Sequence, residues 1–345
     1  MPSPATLQDV ANRAKVHRTT VSLALRDHPS IPLATQQRIK AIAQKLGYRA
    51  NPLVTALMQS RRTGKAVKHA VLAYVTNHPT RYGWRPPEMN EPNFFPGAVE
   101  RAKELGYKLE HFWMAEPGMT AARFSNILST RGIHGVLIGR LPENLHRLDL
   151  AWERFSSVAL GLTLETPRLH HVAEDHYFTT HHSMQQCRER GYRRVGFVFS
   201  SPNNYPRVGD RWLGGLFSQQ HRLDLADRVP PYEEGHEDRT AFLRWFKRWR
   251  PDALVASRAD CVIDWLHGAG VRVPRDVGVV ALRNERPELG HAGVHYDPAK
   301  VGALGVEMLV GLIHRHEIGA PAHPHEVLLP GDWCEGETLP ARMPR

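Results

Sequence analysis

Between Thr6 and Leu25 the chain sets hydroxyl, imidazole and guanidinium groups at spacings that let one surface hydrogen-bond a polyanion. The densest run is Arg18-Thr19-Thr20-Val21-Ser22-Leu23-Ala24-Leu25. Read as a helix, it places Val21, Ala24 and Leu25 on one face and Arg18, Thr19 and Ser22 on the other. A guanidinium can donate two hydrogen bonds to the major-groove edge of a guanine, and a threonine can bond a phosphate or touch a thymine methyl.

The elements that must hold this run are legible around it. Thr6 with Asp9 three residues on reads as a variant capping box, and Leu7, Val10, Ala11 and Ala14 follow at i, i+3, i+4, i+7. A break at Lys15-Val16-His17 leads into the Arg18 run, which Pro29 and Pro32 end. A third helix is predicted from about Leu33 to Leu46, with Ile39, Ile42, Ala43 and Leu46 in phase and Gly47 at the C-cap position. Two short helices joined by a three- or four-residue turn form a helix-turn-helix. The bland alternative is a small helical cap that touches no nucleic acid.

Charge favours the nucleic-acid reading. The 345-residue chain carries net charge +10, and residues 1–69 hold twelve Lys and Arg against Asp9 and Asp27 alone. The rest of the chain balances to zero. A cationic head on a neutral body suits a polyanionic partner. With 41% hydrophobic residues, the body has enough apolar surface for sizeable cores. No apolar stretch has the length of a membrane span, and the first fifteen residues lack a signal-peptide core. Cys187, Cys261 and Cys334 are scattered without metal or redox spacing. A cytoplasmic location is therefore expected.

The segment TLQDVANRAKVHRTTVSLALRDHPSIPLATQQRIKAIAQKLGYRANPLVTALMQSRR resembles the DNA-binding head and hinge of the LacI (lactose repressor-like) transcription factors. The resemblance rests on Thr6-Leu7-Gln8-Asp9-Val10-Ala11, Thr20-Val21-Ser22, Leu46-Gly47-Tyr48-Arg49 and Asn51-Pro52. It implies that Arg18 and Thr19 touch base edges and that Thr20 and Ser22 bond phosphates, with Thr6, His17, Tyr48 and Asn51 completing the interface. Leu23 stands where the family commonly has an arginine that reads guanine, and His17 stands where it has serine. An operator half-site unlike the family's common one is expected. Residues Asn51–Ser60 match the hinge, which in the family enters the minor groove as a helix, and Leu57 matches the wedging leucine. Val54 and Met58 are bulkier than usual there. The alternative is an ordinary linker helix with Leu57 in a core contact. One head reads only a half-site, so a homodimer on a palindromic operator is implied.

From residue 70 short β-branched runs alternate with helical stretches. The runs are 70–76, 135–139, 157–162, 194–200, 253–257 and 277–282, with helical patterns such as Ala98–Leu105 and Ala299–Ile313 between. Such alternation predicts parallel sheets covered by helices, with ligands beyond the carboxyl ends of the strands. The body is similar to the family's sensor, itself like periplasmic sugar-binding proteins, through Gly191–Phe197, Arg211 with Gly214, Pro251-Asp252-Ala253 and Val273–Val277. The expected fold is α/β: a three-helix helix-turn-helix head, a hinge helix, then two doubly wound α/β subdomains of periplasmic-binding-protein type. The expected bounds are 1–48 for the head and 49–67 for hinge and linker. The N-terminal subdomain is expected at 68–168 plus 297–318, and the C-terminal one at 169–296 plus 319–340.

The resemblance implies a small-molecule effector between the subdomains, but the pocket residues depart from the family. Arg211 matches an arginine that grips sugar hydroxyls. Arg258-Ala259 and Arg283-Asn284 replace acidic and amide acceptors, and the usual closing Arg-x-Ser-Thr is absent from 331–340. Arginine pairs bidentately with carboxylate or phosphate, so an acidic sugar derivative is one expectation. The other is that these arginines pair with acidic neighbours such as Glu285. Trp84, Phe94 and Phe95 either line the cleft or pack an insertion against the body; Phe94 joins the arginines as a candidate effector contact.

Other patterns are set aside. The chain has twenty-one histidines, clustered at 176–182 and 314–325, and no cysteine accompanies the second cluster. Solvated histidines are the ordinary case, so no metal or cofactor is expected. No GxSxG, HExxH, GxGxxG or Walker loop occurs, and no enzyme is expected. The basic aromatic run 242–250 reads as an amphipathic surface helix. A binding or transport protein without DNA activity is the competing class, and it predicts an export signal and no basic head.

Overall fold

The computed structural model describes residues 6–25, 30–46, 48, 70–85, 93–199, 206–234 and 238–342. The chain divides into two compact units, Met1–Ala70 with His314–Glu317, and Val71–Ile313 with Ile318–Arg345, called head and body below.

The head contains α1 (Leu7–Ala14), α2 (Arg18–Ala24) and α3 (Leu33–Lys45). The capping box forms as its residues dictate. The Asp9 amide donates to Thr6 Oγ1 at 3.2 Å, and the Thr6 amide donates to the Asp9 carboxylate at 2.7 Å. The Thr6 hydroxyl and the Thr6 amide, both donating to the Asp9 carboxylate, hold that carboxyl below its ordinary range. Lys15 ends α1 in the left-handed region. Beyond the end of α3 the Tyr48 amide donates to the Ala43 carbonyl at 2.9 Å, the six-to-one bond of a Schellman closure. The C-cap expected at Gly47 lies outside the described residues. Val10, Ala11, Ala14, Val21, Ala24, Ile39 and Ala43 form the core, flanked by Leu7, Val16, Leu25, Ile31, Ile42 and Tyr48. Four of its seven buried residues are alanines, which lets the helices approach closely and buries little apolar area.

The body holds two mostly parallel sheets. The first has the order β10-β5-β4-β3-β1-β2, from Ala70–Thr76 (β1), Tyr107–Trp113 (β2), Gly135–Ile138 (β3), Ser156–Leu160 (β4), His170–Glu174 (β5) and Glu326–Leu329 (β10). The second has the order β11-β9-β8-β7-β6, from Val195–Val198 (β6), Ala253–Ala256 (β7), Gly278–Ala281 (β8), Ala292–His295 (β9) and Asp332–Cys334 (β11). Helices cover both faces. Phe95–Glu104 (α4), Ala121–Thr130 (α5) and Pro298–Arg315 (α10) serve the first sheet. His176–Glu189 (α6), Arg211–Gln220 (α7), Arg239–Trp249 (α8) and Ala259–His267 (α9) serve the second. Where α4 meets α10 the backbones nearly touch: a Cβ on Gly302 would lie 1.9 Å from the Phe94 carbonyl oxygen.

The subdomain bounds need correction. β5 and β10, assigned from sequence to the C-terminal subdomain, belong to the first sheet. β5 pairs in parallel with β4 and β10 with β5, so backbone hydrogen bonds carry both strands across the expected boundary. The chain first crosses between sheets after Glu174 and last crosses between Leu329 and Asp332, rather than near 168 and 318.

Candidate nucleic-acid interface and ligand cleft

Helix α2 is sorted as its sequence demands. Val21 and Ala24 are fully buried, while Arg18 and Thr19 are exposed and Thr20, Ser22 and Leu23 half-buried. Burying Val21 and Ala24 fixes the helix's rotation and turns Arg18, Thr19 and Ser22 to the opposite side. His17 caps α2: its ring Nδ1 accepts the Thr19 amide at 3.3 Å and lies 2.9 Å from Thr19 Oγ1. It does the job of a small hydroxyl N-cap while adding an exposed ring beside Arg18. The Thr6 hydroxyl donates to the Asp9 carboxylate at 2.7 Å. Tyr48 is half-buried against the core; burial pushes its hydroxyl up, and the nearby Arg18 charge pulls the other way. The head thus brings Arg18 and Tyr48 into electrostatic range of each other. Asn51 and Leu57 lie outside the described residues.

In the body, the expected effector residues are held as follows. Phe94 is buried, with the Arg140 guanidinium 5.1 Å from its ring centroid. Trp84 and Phe95 pack on each other and on Tyr74, with centroids 5.0–5.3 Å apart, and Trp84 also meets His111. Trp84 and Phe95 thus pack against β1 through Tyr74. Arg211 donates to Glu326 at 2.6 Å. Arg283 pairs with Glu285 at 3.0 Å and lies 3.9 Å from Glu174. Arg258 is exposed at the start of α9. Two of the three guanidiniums therefore already face carboxylates, as the paired reading expects.

Sequence reasoning missed the centre of this region. Glu174 ends β5, His176 opens α6, Trp212 lies on α7, Arg283 follows β8 and Tyr296 follows β9. These are carboxyl ends of strands and the starts of the helices after them. Glu174 is only 3% exposed. Its Oε2 is 3.7 Å from His176 Nδ1 and 3.9 Å from Arg283 Nε, both too long for a hydrogen bond. Burial would raise its carboxyl, but His176, Arg283 and Arg140 hold it below the ordinary range. The His176 and Trp212 rings sit 4.3 Å apart, and Phe199 backs Trp212 at 4.5 Å. Both Glu174 oxygens, His176 Nδ1, Trp212 Nε1 and the Tyr296 hydroxyl are buried without a hydrogen bond inside the protein. The available signal was a carboxylate closing the run HHVAE at a strand's end. His176 had drawn notice only as part of a histidine cluster, and among the described residues no group of His, Cys, Asp and Glu has metal-holding geometry. Beside this cluster Arg207, just before α7, donates to the carbonyls of Leu141 at 2.7 Å and Pro142 at 3.1 Å. It ties the second sheet's layer to the loop after β3.

Comparison with known proteins gives two family matches. Residues 6–51 match bacterial regulatory proteins of the lacI family, and residues 184–339 match a periplasmic binding protein-like domain. The catabolite control protein A of Staphylococcus epidermidis is 23% identical over 353 residues, covering 94% of this chain and 96% of the relative. The HTH-type transcriptional repressor CytR of Escherichia coli is 25% identical over 303 residues, covering 81% and 80%. Among solved structures, the lac repressor dimer bound to operator and the anti-inducer ONPF superposes with TM-score 0.56 at 16% identity, covering 98% of this chain and all of that one. The transcriptional regulator CelR in complex with cellobiose superposes with TM-score 0.54 at 21% identity, covering 97% and 99%. These structures share the fold.

Proposed function

The chain belongs to the LacI family of DNA-binding transcriptional regulators, and from that premise we propose that it binds a palindromic operator as a homodimer under the control of a small molecule held in the body. The observation that carries the DNA half is α2. Its apolar face is wholly committed to the core, and the opposite face offers Arg18, Thr19 and Ser22 from a strongly cationic head. Phosphate contacts from such a head supply affinity without sequence information, and base-edge contacts from α2 select the half-site. Thr6, His17, Thr20, Leu23, Tyr48 and Asn51 belong to the same surface on this reading, and Leu57 supplies the minor-groove wedge.

The body supports the sensing half. Polar side chains from both sheets meet at the carboxyl ends of β5, β8 and β9, where α/β folds take ligands. A ligand that favours one angle between the two layers shifts the spacing of paired heads, and such couplings are typically about 1–3 kcal/mol. The regulator works as a repressor when the occupied operator overlaps a promoter, in the cytoplasm where the DNA is. No described helix is long and apolar enough to cross a membrane. The effector is sugar-like on this reading. Arg211 and Arg283 face carboxylates already, which weighs against an acidic sugar derivative relying on them.

The test is operator selection from a random DNA pool with the full chain, followed by affinity against salt. A palindromic consensus is expected. The logarithm of the binding constant should fall linearly with that of salt, by about 0.9 per phosphate contacted. An unstructured pool with a flat salt response refutes the reading.

A further inference from the structure

The basic aromatic run 242–250 builds most of α8, and the two faces of that helix differ in chemistry. Ala241 and Phe242 are buried, Trp245, Phe246 and Trp249 half-buried, and all five lie on one side. That side packs so closely on β6 that a Cβ on Gly196 would lie 2.6 Å from the Trp245 ring. The opposite side exposes Arg244, Lys247 and Arg248, spaced i, i+3, i+4. Arg250, just past the helix end in the left-handed region, is exposed as well. Arg193 joins them from just before β6. Its neighbour Arg194 donates to the Trp249 carbonyl at 2.5 Å, which sets the exposed Arg193 beside the end of α8. Among the described residues none of these five cations pairs with a carboxylate. Asp252, two residues beyond Arg250, is committed to the Arg193 and Arg194 amides and to the Arg342 guanidinium.

Like charges at this spacing destabilise a helix. A helix C-terminus favours cations in its last turn, which accounts for Lys247 and Arg248 but not for Arg244 before that turn or Arg193 off the helix. The last carbonyls already have a donor, since Arg194 reaches both Trp249 and Arg250. A row of one sign fits a partner that is continuous in the other. Protein partners are held by aromatic and aliphatic anchors at the centre of a patch, and α8 exposes no large apolar side chain. A duplex needs no such anchor: it presents one negative charge per about 1.7 Å and binds through its phosphates alone. It is also the polyanion on which a DNA-binding regulator is already concentrated by its head, and tethering makes a weak second contact effective. We propose that the outer face of α8, with Arg193 and Arg250, is a second DNA-binding surface that holds the phosphate backbone of another duplex without reading its sequence. A regulator seated on its operator then gathers a second stretch of DNA.

The experiment is a bridging assay on the full-length chain. Selected operator DNA held on beads captures the chain, and a labelled duplex of random sequence is then offered. The wild-type chain should retain the second duplex, and retention should fall steeply with salt. The triple variant Arg244→Glu, Lys247→Glu, Arg248→Glu should lose about tenfold or more of that retention, with operator affinity unchanged. Arg244→Gln alone should reduce the slope of log affinity against log salt for the second duplex by about 0.9. The double variant Arg244→Lys, Arg248→Lys keeps the charge and should retain the duplex as the wild type does, which separates loss of charge from loss of fold. Unchanged retention in the triple variant means that the heads do the bridging and overturns the proposal. So does equal loss in the lysine variant, or a wild-type chain that holds no second duplex. Displacement by polyglutamate more readily than by unlabelled duplex at equal charge makes an acidic protein the partner and overturns it too. Operator binding on the beads tests the reading of the head, and retention of the second duplex tests α8, so the two fail separately.

Discussion

Leu23→Arg is the substitution that most directly tests how α2 reads DNA. Leu23 is half-buried and is not part of the apolar core that joins the three helices. Replacing it should therefore change stability by no more than about 0.5 kcal/mol, the usual range for surface sites. It lies five residues beyond Arg18 and one beyond Ser22, on the flank of the outward face. Leucine can offer only apolar contact to a base. An arginine can donate bidentately to guanine O6 and N7, a contact that discriminates by about 1–3 kcal/mol, or roughly five- to 150-fold. The wild-type chain is thus expected to select a half-site without a guanine requirement facing residue 23, and the variant to acquire one. The assay is parallel selection from one random pool, followed by titration of each protein on both winning sites. Each protein should prefer its own site, with the crossover appearing at one symmetric pair of positions. If both proteins return the same consensus, residue 23 does not face the bases and the assigned rotation of α2 is wrong. A drop in the melting temperature of the variant would place Leu23 in the core instead.

Three further predictions follow from other parts of the molecule. Leu57→Ala should lower operator affinity while leaving binding to random DNA unchanged; equal loss on both would mark a folding defect. His111 has its pKa lowered to about 4 by burial and by Arg81 and Arg85. The unfolded chain therefore binds the proton first, so the neutral ring's contribution to stability is present above the ordinary histidine value and is lost as pH falls from there toward about 4. Melting temperature followed against pH should show that slope in the wild-type chain and a shallower one in His111→Asn. In Gly302→Ala the new methyl would meet the Phe94 carbonyl. Overpacking at so short a distance should cost at least about 1–3 kcal/mol, read as a lower thermal midpoint of the body; an unchanged midpoint would mean that α4 and α10 pack less closely than described.

Local signals carried the head. The capping box, the i, i+3, i+4 spacing and the turn all act within a few residues, and α1 to α3 fall within about one residue of their expected ends. The body was legible only where strands are buried on both faces. β2, with the sequence YKLEHFW, is an edge strand whose polar residues break the apolar run, and β5 opens on two histidines. β9, β10 and β11 have three or four residues each, too short for periodicity to register. Losing β5 and β10 displaced the subdomain bounds. The cleft was harder still. Whether Arg211 faces a ligand or a carboxylate depends on Glu326, 115 residues away, and no local pattern encodes that distance. Glu174 was visible as a carboxylate, but Arg283 reaches its side only through the tertiary fold.

The grip of Arg207 on the Leu141 and Pro142 carbonyls has a consequence of its own. Main-chain oxygens are present whatever side chain a position carries, so substitutions at 141 and 142 leave the tie intact unless they move the backbone. A guanidinium keeps its proton throughout the physiological range, and a carbonyl gains none. The fastening between the two lobes is therefore blind to acidity and to most sequence change at one end. It yields to geometry alone: parting Arg207 from the loop after β3 means breaking both hydrogen bonds.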